Sequence, residues 1–175
     1  MNKQKSITYR IKLHLSPVDW SLNELDVFLE SKQERDLAGA LIKLGYNVTP
    51  ITFNDKDKLE NGCADIIVHK NRLKFPIEIT TTAPSNSEIG GGINSPHGHQ
   101  WAKVSSRALP LAVHSFKHNL PCFLVMNNKW NKYPHVNHLI NNLKEFKCHL
   151  LLSDFVEGWS NKIAEEINKI LEEIK

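Results

Sequence analysis

The sequence predicts an α/β domain: a mixed β-sheet, with an antiparallel hairpin at its core and a parallel strand beside it, flanked by helices. Three observations carry this. Two strand-like segments within residues 64–81 are separated by a tight turn only. The run PCFLVMN (121–127) is apolar almost throughout, as a strand covered on both faces must be. Helical periodicity then separates the strands of the second half. The 175 residues suit a single domain, 1–175, with a core over about 22–153 and a C-terminal helix over about 157–175.

Taken in order, ITYRIKLHL (7–15) alternates as a strand does, and Ser21 with Glu24 offers a capping box for a helix beginning near Leu22. Leu37, Leu41 and Leu44 recur at i, i+4, i+7, and Gly45 supplies the stop. Strands are expected over 48–53, 64–69 and 75–81, their short connections favouring an antiparallel meander. APSNSEIGGGINSPHG (83–98) is a flexible loop by composition. HQWAKVSSRALPLAVHSFKH (99–118) has helical character, interrupted or kinked at Pro110. After the strand at 121–127 come a helix near 135–146, a strand near 148–153 and a last helix from about 157. That helix carries Trp159, Ile163, Ile167, Ile170 and Ile174 as an apolar stripe.

Hydrophobic content of 41% and charged content of 23% exclude disordered and fibrous classes. No apolar run approaches the roughly 18–20 residues of a membrane span, and MNKQKSITYR lacks the apolar core of a signal peptide, so a cytoplasmic protein with no membrane partner is expected. Cys63, Cys122 and Cys148, odd in number and widely spaced, suit reduced and mostly buried thiols. A net charge of +3 is compatible with a phosphate-bearing partner without establishing one.

Two acids stand out. Asp65 lies among Ala64, Ile66, Ile67 and Val68, and Glu78 between Ile77 and Ile79, so both charges enter partly desolvated surroundings, which is costly unless they are paired or bound to metal. If Asn71 and Arg72 form the turn, Lys70 faces Leu73 and Asp65 falls opposite Glu78 on one sheet face. An odd-length loop would put them on opposite faces. Taken singly, each is also explained as an edge-strand carboxylate facing solvent or paired with Lys70 or Lys74. Directly opposed carboxylates repel, and a divalent cation reverses the sign of that interaction. Glu34, three residues before Leu37 and seven before Leu41, is placed by helical geometry at the end of the buried stripe, facing the sheet as a third acid, and Glu30, one turn earlier, shares this direction and could substitute for it.

The segments ERDLAGALIKLGYNV (34–48), GCADIIV (62–68) and FPIEITT (75–81) resemble the PD-(D/E)XK nuclease superfamily, in particular its restriction-endonuclease-like and archaeal Holliday-junction-resolvase-like branch, over roughly residues 30–127. The resemblance implies a restriction-endonuclease-like fold and a Mg²⁺- or Mn²⁺-dependent endonuclease acting on DNA. It makes Glu34 the helix glutamate, Asp65 the aspartate and Glu78 the first residue of the E-x-K. Asp65, Glu78 and the Ile79 carbonyl would bind the metal. The motif lysine is replaced by Thr80, which cannot supply a cation. Either the cation has moved, with Lys103 on the next helix as the candidate, or catalysis is lost and the chain is a nucleic-acid-binding or assembly subunit. Gln100, Lys103 and Arg107 fall at i, i+3, i+7 as one polar face opposite Trp101, Val104 and Ala108. With His97 and His99 of the HGH loop, Gln100 and Arg107 are the candidate nucleic-acid contacts. Cutting both strands of a duplex would call for a homodimer.

Nine histidines raise a zinc alternative, with His114 and His118 at i, i+4 followed by Cys122. GGG (90–92) is no P-loop, since no GK[ST] follows, and Ser105 and Ser106 have no nucleophile-elbow pattern around them.

Overall fold

The computed structural model describes residues 29, 31–50, 64–84 and 98–174. The expected strand at 7–15 and capping box at Ser21 lie outside them, as do Cys63 and most of the 83–98 segment. The first described helix, α1 (Lys32–Lys43), starts where Ser31 adopts an extended conformation, φ −114° and ψ 156°, so no continuous helix runs from Leu22 into it. Leu37, Ala38, Ala40 and Leu41 form its buried side. Leu44, expected in that stripe, is the C-cap and is exposed. Gly45 follows at φ +81°, a left-handed conformation that suits glycine at a helix end.

The chain then forms β1 (Asn47–Pro50), β2 (Ile66–Lys70) and β3 (Leu73–Thr80). Asn71, at φ 56°, makes the turn that joins β2 to β3. Next come α2 (Gly98–His118), β4 (Cys122–Asn127), a 3-10 turn (Asn128–Lys132), α3 (Pro134–Glu145), β5 (Cys148–Ser153) and α4 (Trp159–Glu173). Pro110 does not end α2, which is assigned as one helix through it. Pro134 occupies the first turn of α3, where its missing N–H removes no helical bond.

The strands lie in the order β1-β2-β3-β4-β5. β1/β2 and β2/β3 are antiparallel, the expected meander, whereas β3/β4 and β4/β5 are parallel, with α2 and α3 as the crossovers. The fold is therefore α/β, a mixed sheet flanked by helices. Strand alternation sorts the core into two layers. Ile66, Val68, Phe75, Ile77, Phe123, Val125 and Leu151 pack against α1 and α4. Cys122, Leu124, Met126 and Cys148 face α2, α3 and the 3-10 turn. In α4, Trp159, Ile163 and Ile167 are buried as expected, but Leu171 completes the stripe, while Ile174 is exposed. Cys122 and Cys148 are wholly buried. Among the described residues no helix is long and apolar enough to cross a membrane.

Candidate functional site

β3 joins the antiparallel and parallel halves of the sheet, so both its edges are paired, and Phe75 to Glu78 are buried without a break. A polar residue in that stretch is withdrawn from water whichever way it points. Phe75 and Ile77 point into the α1/α4 layer, and alternation sends Glu78 and Thr80 to the other face, beside Leu124 and Met126 under α2. Glu78 is 1% exposed and Thr80 6%.

Asp65, 8% exposed, sits one residue before β2 and not within it. The register runs from Lys70↔Leu73 to Ile66↔Ile77, and one further step brings Asp65 beside Glu78. The odd-length-loop alternative is excluded by that register. Two bonds hold Asp65 in place: its N–H donates to the Ile77 carbonyl at 3.0 Å, and its Oδ2 accepts the Ile79 N–H at 2.8 Å. The carboxylate thus supplies an acceptor to β3 where the backbone ladder of β2 has ended. In a strand the N–H and C=O of one residue point to the same edge, so the Ile79 carbonyl also faces the Asp65 side and not β4.

Arg107 reaches this site from α2. Its guanidinium pairs with Glu78 Oε1, joining a side chain that is 36% exposed to one that is 1% exposed. The contact is one of charge: neither Glu78 oxygen accepts a well-directed hydrogen bond among the described residues. The predicted polar face, with Arg107 opposite Val104 and Ala108, is thereby corrected. Val104, Ala108 and Leu111 are the buried stripe of α2, and three residues along a helix leave Arg107 only about 60° round from Val104. It borders the packed face and leans over the end of β3.

Glu34 is not brought to this cluster. It is the third residue of α1, its N–H donates to Ser31 Oγ at 3.1 Å, and Ser31 Oγ donates to its Oε1 at 2.8 Å, an N-cap that holds the helix start. The S-x-x-E pattern at Ser31 was the signal for this role. Among the described residues no group of three or more His, Cys, Asp or Glu side chains converges to hold a metal ion. The candidate donor set is two carboxylates and one backbone carbonyl, a hard oxygen set that suits Mg²⁺ or Mn²⁺ with water completing the shell. The buried Glu78 Oε2, without a donor among the described residues, is what a cation at this point would satisfy.

His97 lies outside the described residues. So do the side chains of His99, Gln100 and Lys103, whose backbone belongs to α2. Lys103 stands one helical turn before Arg107. The His114 and His118 rings lie 4.5 Å apart on the far part of α2, and Cys122 near them in sequence is wholly buried. No model of a known protein family matches the chain, nor does any curated protein or solved structure.

Proposed function

We propose that the chain is a metal-dependent endonuclease of the PD-(D/E)XK kind that hydrolyses phosphodiester bonds in DNA. One observation carries the reading: two acids buried at the same end of adjacent strands, one with an oxygen that no described group satisfies. Asp65, Glu78 and the Ile79 carbonyl would hold Mg²⁺ or Mn²⁺, which when bound supplies water activation and neutralisation of the charge developing on phosphate. The chain's own part is positional. Asp65 is fixed by its two bonds to β3, Glu78 by the strand, and α2 brings the Arg107 guanidinium over the same spot. Preorganised groups of this sort act where water has been excluded.

The test is nicking of a supercoiled plasmid with Mg²⁺ or Mn²⁺. Cleavage that depends on the metal and disappears in Asp65→Ala supports the reading; metal-dependent cleavage unchanged in Asp65→Ala removes it.

A second reading has an observation of its own. Thr80 puts a neutral hydroxyl at the motif lysine position, and Glu78 already has a cationic partner in Arg107. A nuclease-fold protein without catalysis, binding nucleic acid or serving as an assembly subunit, would look like this. DNA binding by a wild type that never cuts duplex, branched or single-stranded substrates would select it.

A further inference from the structure

We infer that Arg107 is an exchangeable counter-ion: it neutralises Glu78 while the metal site is empty, gives way to the divalent cation, and then contacts a phosphate of the bound nucleic acid. This rests on the metal-site reading above and adds to it a residue with two successive partners.

A carboxylate that is 1% exposed cannot stay charged without a compensating cation. The described residues offer Arg107, on Oε1. The same carboxylate is the proposed metal ligand, so guanidinium and metal compete for one charge. Repulsion between the two cations, at the few ångströms a shared carboxylate allows, makes the competition steeper. The two partners of the ion pair differ in how they are held. Glu78 is fixed by a strand paired on both edges, whereas Arg107 comes from the rim of a helix with its side chain 36% exposed. When a cation arrives, the guanidinium is therefore the part that moves, and its exposed flank gives it somewhere to go. A guanidinium displaced from a carboxylate keeps its planar donor fork, which matches a phosphate as well as it matches a carboxylate. Binding of metal and of nucleic acid are then coupled through one side chain, and by linkage each strengthens the other.

The experiment is Mn²⁺ titration of the wild-type protein, Arg107→Gln and Asp65→Asn by calorimetry. Duplex DNA binding is measured in parallel with Ca²⁺ in place of the hydrolytic metal. Removing the competing cation is expected to tighten Mn²⁺ binding about ten-fold or more, in line with the Coulomb attraction of opposite charges in contact near a protein surface. The same variant is expected to bind DNA about ten-fold more weakly when Ca²⁺ is present, the loss of one charge-assisted phosphate contact. Mn²⁺ binding that is unchanged or weaker in Arg107→Gln overturns the exchange, even where Asp65→Asn abolishes binding and so upholds the metal site. Binding that is absent from the wild type and Arg107→Gln alike overturns the metal-site reading along with it. DNA affinity that is unchanged in Arg107→Gln overturns the phosphate step. Should Arg107→Gln fail to fold even in Mn²⁺, Arg107→Met takes its place, because it keeps an aliphatic stem but removes the competing charge. It too is expected to bind Mn²⁺ more tightly than the wild type, and equal or weaker binding sinks the proposal.

Discussion

At the scale of single residues, Asp65 has a structural duty as well as a proposed chemical one. Its Oδ2 accepts the Ile79 N–H, so Asp65→Ala leaves a partly buried donor unsatisfied and is expected to lower stability by about 1 kcal/mol. Asp65→Asn, which keeps an acceptor oxygen, should lose less. Urea denaturation of both variants reads this, and a loss in Asn as large as in Ala would mean that the charge and not the hydrogen bond matters. Lys103→Met asks a separate question, whether a displaced lysine serves the chemistry. If it does, cleavage falls about 10²–10³-fold with metal affinity little changed, as for loss of one electrostatic stabiliser. Single-turnover rates at saturating Mg²⁺ would show it, and a wild-type rate in Lys103→Met would dismiss the idea.

At the scale of elements, most boundaries were legible because they rest on local chemistry. The Asn71 turn, the apolar run of β4 and the glycine after α1 each act through neighbours in sequence. Helix rotation was harder. Arg107 is predicted on a polar face opposite Val104 and Ala108, but the face α2 presents is settled by Val104, Ala108 and Leu111 packing on Leu124 and Met126, a tertiary matter. Glu34, by its spacing to Leu37 and Leu41, is predicted at the sheet-facing end of the buried stripe, but the helix is capped at Ser31. Placing the cap there turns the same glutamate into a capping partner. Trp130 shows how an element can also fasten a segment far away in sequence. It is wholly buried in the 3-10 turn after β4, and its Nε1–H donates to the Thr82 carbonyl, 2.6 Å away, just past the end of β3. Trp130→Ala is expected to cost about 3–5 kcal/mol, whereas Trp130→Phe keeps much of the volume and loses chiefly the hydrogen bond, about 1–3 kcal/mol. Thermal or urea melts of the two variants test that ranking.

At the scale of the whole molecule, stability should depend on pH through two half-buried histidines. Burial holds the His69 and His149 imidazoles below their ordinary value of 6.5, with Lys74 and Lys144 respectively adding to the effect. The unfolded chain therefore takes up protons before the folded one does. Stability is fully present above about pH 6.5 and falls as the pH drops through that value towards the lower folded-state values. His149 lies against Phe123, ring centroids 5.3 Å apart and stacked, and its Nε2 has no hydrogen-bond partner among the described residues. His149→Phe keeps an aromatic ring there and should flatten the loss of stability between pH 7.5 and pH 5.0, measured by urea midpoints. An equal slope in variant and wild type would clear His149 of the effect. Neither histidine's burial was visible in the sequence, because an imidazole in a strand does not declare which face it will take.

β3 has one neighbour that is close in sequence and another that is not, and this has a consequence for the order in which the site assembles. The β2–β3 hairpin closes through a two-residue turn, Asn71 and Arg72, an event of roughly 1–10 μs in isolation. The β3–β4 pairing waits for the whole of α2 to cross over. Asp65 and Glu78 thus meet early, as two like charges, and Arg107 reaches them late. The folding barrier should contain their repulsion without the relief that the finished protein enjoys. Glu78→Gln is expected to raise the folding rate, by removing the repulsion, and to raise the unfolding rate as well, by removing the partner of Arg107. Stopped-flow refolding in urea would separate the two arms, and a folding arm that does not move would place the meeting of the acids after the barrier.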